Sequence, residues 1–398
     1  MIRLLVAFMV FAIPGSTVNQ PDPSEAARSL AKPYAQFGFD LLRQLDSRHP
    51  DSNIFISPTS IAVALAMTSN GAHGATRDAI LKTLHADPQS IDAFNAANQA
   101  LVGEIGKTTA VELTMANALW LQQGFSVEPA FKETLQSAYS AQAENLDFHS
   151  PDAVHTINAW VAKHTSDRIQ KILEQIDPAT VIVLTNAVAF KGKWTLPFDV
   201  KDTQPHDFTS ASGKVEKVPM MKHTAGYDHG EANGLEAIRL PYADGTFAMY
   251  VVLPADKDRM QSFLEQLAPD TFTSLTMSLD KARGTIELPR FTITYGATLN
   301  PALSQLGMGI AFRDNADFAG ITSARPLQIS EVRHVSFLKV DEEGTEAAAA
   351  TSIGIRAAAM RVQPPPFHMI VDRPFFIAIR DEHSGQILFT GVIANPKS

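Results

Sequence analysis

The sequence predicts an α+β fold built as one large domain. Apolar residues recur at helical spacing through the first quarter of the chain, whereas short alternating or wholly apolar runs dominate the rest. No internal repeat and no linker-like change of composition divides the 398 residues. Helices first and strands later, without a boundary between them, favour a single α+β domain over several separate ones.

The predicted helices lie mainly in the first half of the chain. Apolar residues at helical spacing between Ser24 and Leu45 predict the first. Ser57 predicts the start of the second, because serine caps helix N-termini and Pro58 is tolerated in the first turn. Further helices are expected at residues 76–84, 90–105, 260–275 and 299–306, and from residue 150 onward with Ile157, Trp160, Val161 and Ile169 on one stripe.

The predicted strands follow. Residues 111–122 alternate between apolar and polar types, as in a half-buried strand. Residues 181–190 are apolar on both faces apart from Thr185 and Asn186, which is typical of a strand inside a covered sheet. Other strands are expected at residues 217–221, 235–240, 247–253, 284–288, 291–294, 327–340, 374–380 and 386–393.

The stretch from Val340 to Gln363 has an alternating pattern of its own. Between Thr345 and Ala358, every second residue is small or apolar and uncharged, and the alternate set holds every charge; the uncharged set is Thr345, Ala347, Ala349, Thr351, Ile353, Ile355 and Ala357. Alternate side chains of a strand point to opposite faces, so one face suits burial. The alanine run favours a helix, whereas Gly354 opposes one. The pattern alone leaves three interpretations open: a loop that can become a strand, an exposed linker or a surface helix.

Composition excludes several classes of function. A formal net charge of -9 without clustered Lys or Arg predicts no nucleic-acid partner. The absence of cysteine removes disulfides, thiol nucleophiles and thiolate metal sites. The twelve histidines have no metal-ligand spacing, and no nucleophile or phosphate-loop motif occurs. We therefore expect no catalytic residue, no metal and no cofactor, and a binding or inhibitory protein rather than an enzyme.

The N-terminus predicts export. Arg3 precedes an apolar run, Leu4 to Ile13, that is too short to span a bilayer and is typical of a signal peptide. We expect a signal peptide at approximately residues 1–17, a flexible lead-in at 18–27 and one domain at 28–398. The expected location is secreted or extracellular, or the periplasm, with no membrane partner.

From about residue 28 to the C-terminus the chain resembles the serpin family. Many motifs recur in the family's order, and their number makes the resemblance specific. They are Asn53–Ser60, Thr185–Ala187, Phe190–Trp194 with Phe198, Leu240–Tyr242, Leu288–Phe291, Asp317–Ile321, His334, Glu342–Thr351, Asp372–Phe375 and Gly391–Pro396. The resemblance implies a serpin fold with three β-sheets, eight or nine helices and an exposed reactive loop at about residues 342–363.

The resemblance also implies roles for polar residues that pattern alone leaves as buried or solvated groups. A shutter beneath the main sheet would contain Ser57, Ser60, Asn186 and His334. A breach, where the loop first enters the sheet, would contain Trp194, Arg290 and Glu342, the last two as a charge pair. A hinge typical of inhibitory members would comprise Glu342, Glu343, Gly344, Thr345, Glu346, Ala347, Ala348, Ala349, Ala350 and Thr351.

The implied function is irreversible inhibition of serine proteases by a monomer. The protease would cut the loop, and residues 344–358 would insert into the main sheet with the uncharged set facing inward. A non-inhibitory carrier or chaperone of the same fold is the alternative. Bulky, charged or Pro residues often occupy the hinge of such members, and the inward-facing hinge positions here, Thr345, Ala347, Ala349 and Thr351, have none.

The family's spacing places the reactive bond between Ala358 and Ala359, which suits elastase-like or subtilisin-like enzymes. Arg356 and Arg361 would instead suit trypsin-like enzymes. Because the loop is longer than in compact family members, Met360 and Arg361 stay open as alternatives.

Overall fold

The computed structural model describes residues 23–323, 326–344 and 365–397. Within these ranges nine α-helices have seven or more residues, and a tenth has four. The helices are α1 (Pro23–Ser29), α2 (Ala31–Asp46), α3 (Pro58–Ser69), α4 (Gly74–Thr83), α5 (Ile91–Lys107), α6 (Pro129–Tyr139), α7 (Asp152–His164), α8 (Lys257–Gln266), α9 (Pro269–Met277) and α10 (Asn300–Leu303). None of the helices described is long and apolar enough to cross a membrane.

Fourteen strands are described, in two hydrogen-bonded sheets. They are β1 (Ile54–Ile56), β2 (Val111–Gln122), β3 (Gln142–Leu146), β4 (Ile182–Gly192), β5 (Gln204–Thr209), β6 (Val215–Ala232), β7 (Leu235–Tyr242), β8 (Phe247–Pro254), β9 (Asp280–Pro289), β10 (Phe291–Thr298), β11 (Glu331–Val340), β12 (Phe367–Ile370), β13 (Phe375–Asp381) and β14 (Ile387–Ile393).

The larger sheet has nine strands and the smaller has five. The larger runs β1-β14-β13-β8-β7-β6-β9-β12, with β5 paired to β6, and the smaller runs β10-β11-β4-β2-β3. The long strand β6 pairs with β5 in its first part, with β9 in its middle and with β7 in its last part. Two of the three predicted sheets are therefore continuous through β6.

Helix α3 lies at the centre of the main core. Ser57 caps it as predicted, accepting a hydrogen bond from the N–H of Ser60, and every residue of the helix is buried. It packs against β4 of the smaller sheet and β14 of the larger one. The face of the smaller sheet that points away from α3 contacts α7 through a second apolar cluster, which includes Trp120 and Ile157. The middle of the smaller sheet is thus covered on both faces.

Several predicted elements have different bounds in the structure. The helix predicted at 260–275 is two helices, because Pro269 lacks the N–H that a continuous helix would need there. Helix α7 ends at His164, and Ser166 and Asp167 then adopt positive φ, so Ile169 packs beside the helix rather than on it. The flexible lead-in predicted at 18–27 is too long, since α1 is helical from Pro23.

Candidate functional site

Strands β4 and β11 form a parallel pair at the centre of the smaller sheet. Their register runs from Glu331 opposite Val183 to Leu338 opposite Phe190. The outer neighbours of this pair, β10 beside β11 and β2 beside β4, are both antiparallel to it. Parallel pairing is slightly less stable per residue than antiparallel pairing. The other parallel pair of this sheet, β2 with β3, lies at its edge, so β4 and β11 are the parallel pair with an antiparallel neighbour on each side among the described strands.

A polar cluster joins β4, β11 and α3. The register places Asn186 opposite His334 on one side and opposite Asn117 on the other. Asn186 Nδ2 donates to Ser60 Oγ at 2.6 Å and to Asn117 Oδ1 at 2.5 Å, and Asn186 Oδ1 lies 2.6 Å from His334 Nδ1. All four residues are at most 5% exposed. The bond from Asn186 to His334 therefore links the two central strands directly.

Ser57, also predicted in this cluster, stands beside it. Its hydroxyl donates to the carbonyl of Leu388 at 2.6 Å and caps α3, so it positions Ser60 rather than contacting Asn186. Asn117 and Ser336 were not predicted; Ser336 Oγ donates to the carbonyl of Phe55 at 2.5 Å. Asn117 could have been found in the sequence, because it is a polar residue in an otherwise apolar part of its strand.

The hydrogen bonds determine the protonation state of His334. Because the amide group of Asn186 donates to Ser60 and Asn117, its Oδ1 must accept, and His334 Nδ1 carries the proton. His334 Nε2 is buried and has no hydrogen-bond partner among the described residues. Burial lowers the pKa of His334 to about 3, because a charged imidazole would lose its hydration there.

We expect acid to destabilise the protein through His334. Between the ordinary histidine pKa of 6.5 and about 3, the unfolded chain binds a proton that the folded state does not. The free energy of unfolding then falls as pH falls, by at most about 1.4 kcal/mol per pH unit. Urea midpoints measured between pH 4 and 7 for wild type and His334→Gln should show a shallower slope in the variant. The exposed His155→Gln serves as the control and should keep the wild-type slope.

At the end of β11 the chain turns tightly against β4; we call residues 341–344, with Trp194, the loop junction. Trp194 Nε1 donates to the carbonyl of Asp341 at 2.9 Å, and the Trp194 N–H donates to that of Glu343 at 3.1 Å. The N–H of Phe198 donates to the carbonyl of Glu342 at 2.7 Å. These bonds fix the start of the loop over the segment that follows β4.

Glu342 is the buried charge of the loop junction. It is 5% exposed, and its Oε1 accepts from Arg290 Nη1 at 3.3 Å and from Thr203 Oγ1 at 2.7 Å. The ion pair with Arg290 is present as expected, but the Arg290 side chain is 48% exposed, so solvent screens it. Thr203 supplies the shorter bond and was not predicted, because nothing in its local sequence marks it.

Position 344, at the end of the loop junction, accommodates only glycine. Its φ is +98°, and a Cβ would lie 2.3 Å from Trp194 N and 2.4 Å from the carbonyl oxygen of Gly192. Its N–H donates to the carbonyl of Asp341 at 3.2 Å. The described chain therefore stops in contact with the end of β4, with its direction already reversed relative to β11.

The remaining hinge residues and all the reactive-bond candidates lie outside the described residues. They are Thr345, Glu346, Ala347, Ala348, Ala349, Ala350, Thr351, Arg356, Ala358, Ala359, Met360 and Arg361. Across the part of the chain that is described, no group of three or more His, Asp or Glu side chains could hold a metal ion.

The fold and the loop junction define a class of protein: an α+β domain with a buried central helix and a chain segment that leaves the middle of its smaller sheet. The family model described as Serpin (serine protease inhibitor) matches residues 32–396. The chain belongs to the serpin family.

Individual relatives agree with this assignment. Human alpha-1-antichymotrypsin is 34% identical over 387 residues, covering 95% of this chain and 91% of that protein. The structure of human thyroxine-binding globulin complexed with thyroxine has a TM-score of 0.86 at 27% identity, covering 94% of this chain and 100% of that one. Tengpin, a thermophilic serpin solved in its native state, has a TM-score of 0.83 at 30% identity, covering 92% and 93%.

Proposed function

We propose that this serpin is an irreversible suicide-substrate inhibitor of serine proteases, and that the cleaved loop inserts between β4 and β11. The observation that carries the proposal is the geometry at the loop junction. The chain leaves β11 at Val340 and has reversed direction by Gly344, next to the end of β4. A strand continuing from Gly344 would run antiparallel to both central strands. It would replace one parallel pairing with two antiparallel ones.

The alternation of the loop sequence fits the two faces of the gap. On β11, Val332 and Leu338 face the main core, whereas Val335 and Phe337 face the cluster under α7. The uncharged set from Thr345 to Ala357 would face the main core, where an unpaired charge is very costly.

The other set must fit beneath α7. It carries its charges at Glu346 and Arg356, towards the two ends of the segment. The four residues between them are small and uncharged, namely Ala348, Ala350, Ser352 and Gly354. In the middle of the segment, both sets of side chains are therefore uncharged, so both faces of an inserted strand could be buried between the main core and α7.

Insertion is expected to be strongly favourable but slow. It adds two ladders of backbone hydrogen bonds and removes one, a net gain of roughly ten bonds and on the order of 10 kcal/mol. The strands cannot separate until the bond between Asn186 and His334 breaks, which leaves buried polar groups unpaired at about 1–3 kcal/mol each. The uncleaved protein would then be kinetically trapped above its free-energy minimum.

The chemistry is that of an interrupted protease reaction. The protease serine would attack a carbonyl in the loop and break its bond to the following nitrogen, which leaves as a protonated amine. The protease would then remain bound to the upstream segment as an acyl-enzyme. Insertion would carry the attached protease along and distort it before water completes hydrolysis. We propose Ala358–Ala359 as the bond, with elastase-like or subtilisin-like targets. Arg356 and Arg361 offer sites to trypsin-like enzymes. We propose that the protein acts as a monomer after export.

A non-inhibitory binding module is the second candidate, because the structure resembles a globulin solved with thyroxine. The hinge composition opposes it, since no residue from Thr345 to Thr351 is bulky, positively charged or Pro.

Mixing the protein with a panel of elastase-like, subtilisin-like and trypsin-like proteases tests the proposal. We expect at least one denaturant-resistant complex on a gel, together with release of a C-terminal peptide whose mass identifies the bond. The same protease with its catalytic serine blocked is the control and should form no complex. Loop cleavage by every protease without any stable complex would contradict inhibition and favour the binding module.

A further inference from the structure

The carboxylate of a largely buried residue, Asp46, opens onto a cavity that is remote in sequence from the loop. Asp46 is the last residue of α2 and is 7% exposed. Its carboxylate makes no hydrogen bond or ion pair with any residue that the structure describes. Buried charges are normally paired. The proposed inhibitory function gives Asp46 no role.

The cavity has a volume of about 420 Å³. It forms where the end of α2, the segment after β5, the end of β8, the start of α8, the turn before β13 and the end of β14 converge. Its apolar wall includes Met260, Val392 and Ala394, all buried. Half of the lining is polar or charged and includes Asp46, Lys257 and Arg373. A volume of about 300–1,000 Å³ is usual for small-molecule sites.

Two other acidic side chains of the wall are already engaged. Asp372 Oδ1 lies 2.9 Å from Arg373 Nη1, and the same guanidinium donates from Nε to the carbonyl of Pro254 at 2.8 Å. The carboxylate of Asp256 accepts from the N–H of Arg259 at 2.8 Å and caps α8. Neither carboxylate is left without a partner.

The basic residue Lys257 does not neutralise Asp46 by direct contact. Its Nζ lies 3.1 Å from Asp51 Oδ1, and its side chain is 69% exposed. The charge of Lys257 acts on Asp46 only at longer range, and that of Asp51 opposes it. Asp46 is therefore the acidic residue of this wall whose carboxylate has no direct partner among the described residues.

The position of Asp46 makes its charge unfavourable in the free protein. It lies at the C-terminus of α2, where the helix dipole disfavours a negative charge. Burial, the largest effect, raises its pKa. A bound cation would offset both unfavourable effects on the carboxylate, whereas a bound anion would add charge repulsion to them.

We propose that this cavity binds a small organic cation, an amine with an apolar body, whose ammonium group pairs with the carboxylate of Asp46. The apolar walls would hold the body of the ligand. Binding should weaken at acid pH as Asp46 takes up a proton. The site does not depend on the loop, so it can be tested separately from protease inhibition.

Tryptamine is a suitable probe, and indole-3-propionate is its anionic counterpart. By titration calorimetry on the full-length protein we expect tryptamine to bind with a Kd of about 0.1–1 mM, as befits a ligand of its size. Asp46→Asn should weaken binding by about tenfold or more, the usual worth of a charged hydrogen bond. Because the variant removes an unfavourable charge, its thermal midpoint should be unchanged or higher.

Two further variants separate the site from general effects. Ala255 is exposed at the wall of the cavity, so Ala255→Trp should block tryptamine with Asp46 intact. Asp270→Asn removes an acidic group that is 80% exposed and lies outside the cavity, and it should bind tryptamine like wild type. No detectable tryptamine binding, equal binding of indole-3-propionate, or unchanged binding by Asp46→Asn would each overturn the proposal.

Discussion

Cleavage of the loop is expected to raise the thermal midpoint by about 10 °C or more. The estimate follows from a gain of roughly 10 kcal/mol on insertion and an unfolding entropy near 2.1 cal/mol/K per residue, or about 0.8 kcal/mol/K for this chain. The fragment after the cut should stay bound, because β13 and β14 lie inside the larger sheet. A rise in the thermal midpoint would therefore reflect insertion of the loop and not loss of the fragment.

The measurement is a pair of melting curves, before and after a nick by a protease that the protein does not trap. Mass spectrometry should first place the nick between residues 345 and 363. A cleaved Thr345→Arg variant is the control and should gain much less, since its inserted strand would carry a buried charge. Coincident curves for the intact and cleaved wild-type protein would show that the loop does not insert.

Thr345→Arg is expected to convert the inhibitor into a substrate. Thr345 is the first residue of the inward set, so insertion must bury it before any later residue can enter. An arginine there would lack a partner in the core and would cost several kcal/mol. With insertion delayed, hydrolysis of the acyl-enzyme should win, and the trapped fraction of protease should fall by about tenfold or more.

Glu346→Arg is the matched control for this variant. It introduces the same side chain one residue later, on the set that already holds a charge. It should retain most of the trapping of the wild type, because adjacent strand residues face opposite sides of the sheet. The test is a gel assay of complex against cleaved product at fixed ratios of inhibitor to protease. A stable complex formed by Thr345→Arg as readily as by wild type would remove the support for insertion.

Local patterns predicted the regular elements where neighbouring residues determine them. The alternation of residues 111–122 predicted β2 with the bounds that the structure shows. Ser57 and Pro58 predicted the start of α3 because capping depends on a few adjacent residues. The short strands β1, β3, β5 and β12 and helix α6 were missed. Strands such as β1 carry too few residues for a period to be recognised.

Contacts between residues distant in sequence could be predicted only in part. Resemblance to the family placed Asn186, His334 and Ser60 together, and the structure shows them in contact. Asn117 joins them only because β2 pairs with β4 in one register, and a slip of a single residue would turn its side chain to the opposite face. Thr203 reaches Glu342 across 139 positions of sequence, which no local pattern can indicate.

The sequence by itself determined the family, the order of the main elements and the alternation from Thr345 to Ala357, because each depends on residues near one another in the chain. Only the tertiary structure decided that this segment begins beside a parallel pair of strands, and that Asp46 faces a cavity built from six separate segments. Both depend on strand register and packing, which bring distant residues together. Asp46 is an ordinary acidic residue in the sequence, whereas in the fold it is a largely buried residue in the wall of a cavity.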